Sequence, residues 1–218
     1  MTLAARTNVK VEQERLRIQQ AAATVFQERG YVGTTMEHIA REMGVTKGFI
    51  YYYYKSKDDV FYALHSQAMK SVHSYVQSRI PKEGTALVKL QAAFTAHVEH
   101  VIQRAALGFV AARTASNILM PAFPAKYRKI LTLERDRFHF LYDAIIDEGV
   151  KQGLFNEAAS KVAMRLVMGA ITWMPNWYRP GGAFDAKTIA AFLVRMFVDR
   201  QSNAVQQKLG MKLMEAHL

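Results

Sequence analysis

Residues 45–57 read VTKGFIYYYYKSK. Four consecutive tyrosines between lysines decide the fold, because a helix distributes them over two faces. Upstream, residues 33–44 read GTTMEHIAREMG. Thr34 or Thr35 can cap a short helix there, and Thr34 with Glu37 matches a capping box. Ile39, Ala40 and Met43 form its inward stripe, and Gly44 breaks it. Thr46 caps a third helix, which contains the tyrosines. Before these, residues 10–29 are helical: Ile18, Ala22, Val25 and Phe26 recur at spacings of three and four, and Gly30 ends the run. A short helix, a Gly-containing turn and a second short helix make a helix-turn-helix. Its second helix enters the DNA major groove, with its N-terminal residues at base edges. In that frame Ile50 and Tyr54, four apart, belong to the core. Lys47, Gly48, Tyr51 and Tyr52 face outward. Lys47 reaches a base edge or a phosphate, Gly48 lets the backbone approach DNA closely, and tyrosine hydroxyls donate to phosphate oxygens.

The composition sets bounds on the rest. The chain has 218 residues, half of them apolar, enough for a sizeable core. It contains no cysteine, which excludes disulfides, zinc-thiolate sites and thiol catalysis. Residues 1–10 carry no apolar signal core, and no apolar run approaches the roughly 20 residues of a membrane span. A soluble, cytoplasmic protein without a membrane partner is expected. Lys and Arg number 29 against 18 Asp and Glu, a net charge of +11 that suits a polyanionic partner. Residues 1–60 hold 9 basic and 7 acidic side chains, so most of the excess lies beyond them.

Residues 57–218 read as helices throughout, over about 57–79, 84–104, 106–119, 125–152, 157–178 and from 185 past 200, punctuated by Pro81, Pro121, Pro124 and the RPGG of 179–182. No lasting alternation of Val, Ile and Thr predicts a strand. In the last two helices Ala163, Leu166, Val167 and Ala170 form one stripe, and Ile189, Phe192, Leu193, Met196 and Phe197 another. Each stripe suits either a dimer interface or an internal core.

The stretch GTTMEHIAREMGVTKGFIYYYYKSKDDVF resembles the N-terminal signature of the TetR family of bacterial transcriptional regulators, gap-free over about residues 15–62. The resemblance implies an all-α chain. Residues 1–56 would form an N-terminal arm and three-helix DNA-binding domain, and 57–218 a helical ligand-binding and dimerisation domain. It also implies that Thr46, Lys47, Gly48, Tyr51, Tyr52 and Tyr53 contact bases or phosphates, that Thr35 lies near a phosphate, and that Lys57 reaches phosphate from the start of the connecting helix. Many relatives carry His in place of Tyr53 and Phe in place of Tyr54. The segment GAITWMPNWYRPGG, residues 169–182, resembles a W…WYxPxG segment in a subset of that family responding to acyl-coenzyme A thioesters. Relatives of that subset often have Asn-Trp where this chain has Thr172–Trp173.

A coenzyme A receptor needs cations at a pocket mouth and an apolar tunnel. Candidate phosphate partners are Arg104, Arg113, Lys126, Arg128 and Lys129. Candidate tunnel walls are Leu107, Phe109, Val110, Phe138, Leu141, Tyr142 and Trp173, with Trp177 beside them. His97 and His100 have i, i+3 spacing but no convergent third ligand, so no metal is expected. There is no phosphate loop, nucleophile elbow or kinase signature, so no enzyme and no cofactor are expected. The expected protein is a homodimeric repressor, bound to a palindromic double-stranded operator and released by a small molecule. The favoured effector is an acyl-CoA thioester. The alternative is a free hydrophobic or aromatic compound, sensed by a regulator of efflux or catabolic genes. Non-specific DNA packaging would leave the helical bundle without a use.

Overall fold

The computed structural model describes residues 3–103, 124–179 and 181–199. The helix expected at 106–119 therefore lies outside the described residues, as do Arg104, Leu107, Phe109, Val110 and Arg113. Among the described residues every regular element is helical: α1 Leu3–Gly33, α2 Met36–Met43, α3 Lys47–Tyr53, α4 Lys57–Gln77, α5 Ala86–Gln103, α6 Ala125–Lys151, α7 Glu157–Trp173, a 3-10 turn Met174–Asn176 and α8 Ala186–Asp199. The expected all-α class holds.

Two local differences from the sequence reading have simple causes. Gly30 breaks α1 with φ 68° and ψ 170°, but one further helical turn follows it. The helix expected to run to 178 stops at Trp173, because Pro175 has no N–H with which to continue the ladder.

The described residues form two compact units. One holds residues up to Lys70 together with 124–134; the other holds 71–103 and 135–199. In the first, Ile18, Ala22, Phe26, Ile39, Ile50, Phe61 and Leu64 are buried with Tyr127 and Leu131 of α6. Phe61 packs edge-on against Phe26 at 5.0 Å and Tyr31 at 5.2 Å, the favourable arrangement for aromatic quadrupoles. Each fully buried side chain of this size contributes about 1.5–3 kcal/mol over exposure, so the short helices α2 and α3, which would not persist alone, are held in place.

In the second unit α5 packs chiefly on α8 and also on α7. Phe197 of α8 meets Phe94 at 6.2 Å and Phe155 at 5.2 Å. Gly149 provides the socket for Phe155: a Cβ there would lie 2.1 Å from the ring. Lys89 of α5 pairs with Glu148 of α6 at 2.8 Å, and Gln152 accepts from the Ala86 N–H at 2.9 Å.

Candidate nucleic-acid interface

Two caps fix the α2–α3 geometry. Thr35 is the N-cap of α2: its hydroxyl accepts from the His38 N–H at 3.2 Å, and His38 Nδ1 accepts from the Thr35 N–H at 3.3 Å. The capping box is thus Thr35 with His38, not Thr34 with Glu37. Thr34 is buried and donates its hydroxyl to the Gly30 carbonyl at 2.7 Å, so its side chain is turned to the end of α1 rather than to the start of α2. Gly44 closes α2 in the left-handed conformation, φ 66°, where a side chain would be strained. Thr46 then caps α3, accepting from the Phe49 N–H at 3.3 Å.

These constraints divide the tyrosine run. Ile50 is fully buried and Tyr54 is 6% exposed. The Tyr54 hydroxyl accepts from Gln19 Nε2 at 2.7 Å, which supplies the partner that a buried phenol requires. Burial raises its pKa, so it remains a neutral phenol. Tyr51 and Tyr52 point outward, 44% and 78% exposed. Tyr53 is half-buried, packed 4.9 Å from Tyr52 and 5.2 Å from Phe49. Gly48 is exposed, and a Cβ there would meet only Thr46 Oγ1, at 3.9 Å. Among the described residues no packing requires a glycine at that position.

The two lysines are differently placed. Lys47 opens α3 and bonds through Nζ to Glu37 of α2, with Nζ 5.7 Å from the centre of the Tyr51 ring. The ammonium holds the Glu37 carboxyl below its ordinary range. Lys57 donates to the carbonyls of Tyr31, Val32 and Thr34 at 3.0, 3.3 and 3.1 Å. An ammonium has three donors, so Lys57 ties the start of α4 to the end of α1. The Tyr31 hydroxyl donates to Asp58 and that of Tyr127 to Asp59, adding two further ties to the same turn. Glu37 as a counter-ion, and Gln19 and Lys57 as fasteners, were not legible in the sequence: each pairs with a position ten or more residues away, beyond any local periodicity.

The effector candidates separate likewise. Phe138 and Tyr142 are buried. Tyr142 bonds to His97 Nδ1 at 3.2 Å, and Phe138 meets the His97 ring edge-on at 4.9 Å. His100 Nε2 bonds to Ser71 Oγ at 2.9 Å. Leu141 is half-buried. Trp173 and Trp177 are instead 64% and 47% exposed. Lys126, Arg128 and Lys129 are exposed at the start of α6, with Lys126 Nζ 4.4 Å from the Tyr127 ring centre. The two apolar stripes each split. Ala163, Val167, Leu193 and Phe197 are buried, whereas Leu166, Ala170, Phe192 and Met196 are exposed.

Comparison with known proteins adds the context. Residues 18–64 match the family described as bacterial regulatory proteins, tetR family, and residues 83–200 match the tetracyclin repressor-like C-terminal domain. The HTH-type transcriptional repressor KstR2 of Mycolicibacterium smegmatis is 26% identical over 172 residues, covering 78% of this chain and 82% of its own. The fatty acid metabolism regulator protein of Bacillus subtilis is 27% identical over 167 residues, covering 74% and 84%. The structure of AibR in complex with isovaleryl coenzyme A and operator DNA superposes with a TM-score of 0.74 at 20% identity, over 84% of this chain and 97% of that one. At that identity the likeness concerns the fold.

Proposed function

The chain belongs to the TetR family of transcriptional regulators, and from that premise we propose that it is a dimeric repressor whose operator is released by an acyl-coenzyme A thioester. Its relatives are regulators, not enzymes. One observation carries the DNA reading: Lys47, Gly48, Tyr51 and Tyr52 form an outward face on α3 that stays exposed among the described residues, with Lys47 paired only to the exposed Glu37. Thr35 and Thr46 sit at the two helix starts beside it, and Tyr53 stiffens it from behind. Residues 1–56 would carry the DNA-reading helices, with Lys57 at their edge, inside a compact unit that extends to Lys70 and takes in residues 124–134. For Lys57 to reach phosphate it must give up the three carbonyls it now holds.

The exposed Leu166, Ala170, Trp173, Phe192 and Met196 supply the homodimer face. Apolar side chains of this size grouped on the outer sides of two helices suit a partner. A two-fold dimer then matches a palindromic operator. The thioester reading rests on the resemblance of residues 169–182 to the acyl-coenzyme A-responsive subset, with a fatty acid metabolism regulator among the relatives and, among the folds, AibR solved with isovaleryl coenzyme A and operator DNA. Phe138 and Tyr142 are the described apolar candidates for the acyl chain, with Arg104, Phe109 and Arg113 beside them in the sequence reading. Trp173 and Trp177, exposed as they are, reach an effector only at a pocket mouth or through the dimer.

The ligand lies inside the helical bundle and shifts α4, whose residues belong to both units. It must bind the DNA-free form better, with a coupling of about 1–3 kcal/mol. The test of the DNA reading is selection from a random double-stranded library. The wild type should enrich a two-fold symmetric sequence. Lys47→Ala should weaken binding to it by ~1–3 kcal/mol while leaving melting temperature and dimer intact. Unchanged binding by that variant would remove α3 from the interface.

A further inference from the structure

Glu37 places a carboxylate on the face read above as DNA-facing, bonded to the first residue of α3. We propose that Glu37 is a specificity-determining residue: it withholds the Lys47 ammonium from the phosphates of arbitrary DNA and leaves it available to the neutral acceptors of base edges. The inference rests on the reading of α3 as the recognition helix.

The pair has little to do for the fold. Its side chains are 45% and 54% exposed, and exposed ion pairs add little to stability. The caps at Thr35 and Thr46 already fix the two helices. On a DNA-facing surface the pair has a different consequence. A phosphate approaching Lys47 brings a second negative charge beside Glu37, and the two anions repel. A guanine edge offers N7 and O6, which are neutral acceptors. With three donors, Lys47 can keep one bond to Glu37 and direct another to the base. The second Glu37 oxygen can accept from a cytosine amino group. The closed pair therefore penalises phosphate contacts and tolerates base contacts.

The charge balance gives this weight. Residues 1–60 carry 9 basic against 7 acidic side chains. Each phosphate neutralised by a cation adds about 0.9 to the slope of binding against salt. Withholding one of those nine cations per protomer therefore removes about 0.9 from the slope for each protomer.

The test is Glu37→Gln in the full chain, on the duplex enriched by the wild type and on a scrambled duplex of the same composition. The variant should bind the scrambled duplex on the order of 10-fold tighter, with a salt slope steeper by about 0.9 per protomer. The enriched duplex should gain less, so the specificity ratio falls. Adding Lys47→Gln to Glu37→Gln should abolish the steeper slope, since the effect passes through the ammonium. An unchanged slope on the scrambled duplex, or an equal gain on both duplexes, would overturn the role of Glu37 alone. A wild type that prefers no duplex would overturn the DNA reading itself, and this inference with it.

Discussion

Tyr54 and His97 both bury a polar group, and they meet the cost differently. The Tyr54 hydroxyl bonds to Gln19 at 2.7 Å across 35 residues of chain. His97, on α5, is held neutral against Phe138 and Tyr142 of α6, and burial, with His100 and His139 nearby, lowers its pKa from 6.5 to about 3. His65 is lowered to about 4 by burial, with its Nδ1 4.0 Å from Glu134 Oε2 and neither atom hydrogen-bonded among the described residues. The sign of the pH effect follows. Below pH 6.5 the unfolded chain takes up protons that the folded chain refuses, so stability falls as pH falls from 6.5 towards 3. His97 alone should cost about 2 kcal/mol between pH 7 and pH 5. Melting temperature followed over that range checks this. His97→Leu should flatten the decline, and a decline of unchanged slope in that variant would assign it to other groups. In the sequence the histidine pair at 97 and 100 raised only the question of a metal; that one of the two is a buried neutral hydrogen-bonding group depends on α6, more than 40 residues away.

Helices differ in how much of their role is local. For α2 and α3, the glycine at 44, the threonines and the spacing of Ile39, Ile50 and Tyr54 are short-range signals, and they placed the turn and the core face correctly. The N-cap at Thr35 was one of two threonines that the sequence left open, because adjacent hydroxyls compete and only the tertiary position of Thr34 resolves the competition. For α7 and α8 the apolar residues occupy two faces, so periodicity alone ran both into one stripe. Ala163, Val167, Leu193 and Phe197 turn inward, and Leu166, Phe192 and Met196 outward. This division gives a direct test of dimerisation. Phe192, 64% exposed, replaced by Glu should dissociate the dimer to monomers in analytical ultracentrifugation with little change in helicity. A dimer of undiminished affinity would move the interface elsewhere.

The two units set different demands on α4. Its first turn is fastened by Lys57 to three carbonyls, by Asp58 to Tyr31 and by Asp59 to Ser56 and Tyr127. Its later residues Ser71 and Tyr75 bond within the second unit, to His100 and Glu99. The central claim is that an acyl-coenzyme A thioester releases DNA. It is tested most directly by fluorescence anisotropy of the enriched duplex bound to the wild-type protein, titrated with a panel of acyl-coenzyme A thioesters, with free coenzyme A and the matching free acids beside them. The account predicts that at least one thioester dissociates the complex while its free acid and coenzyme A do not. Dissociation by a free acid or by an uncharged aromatic compound, with every thioester inert, would contradict it.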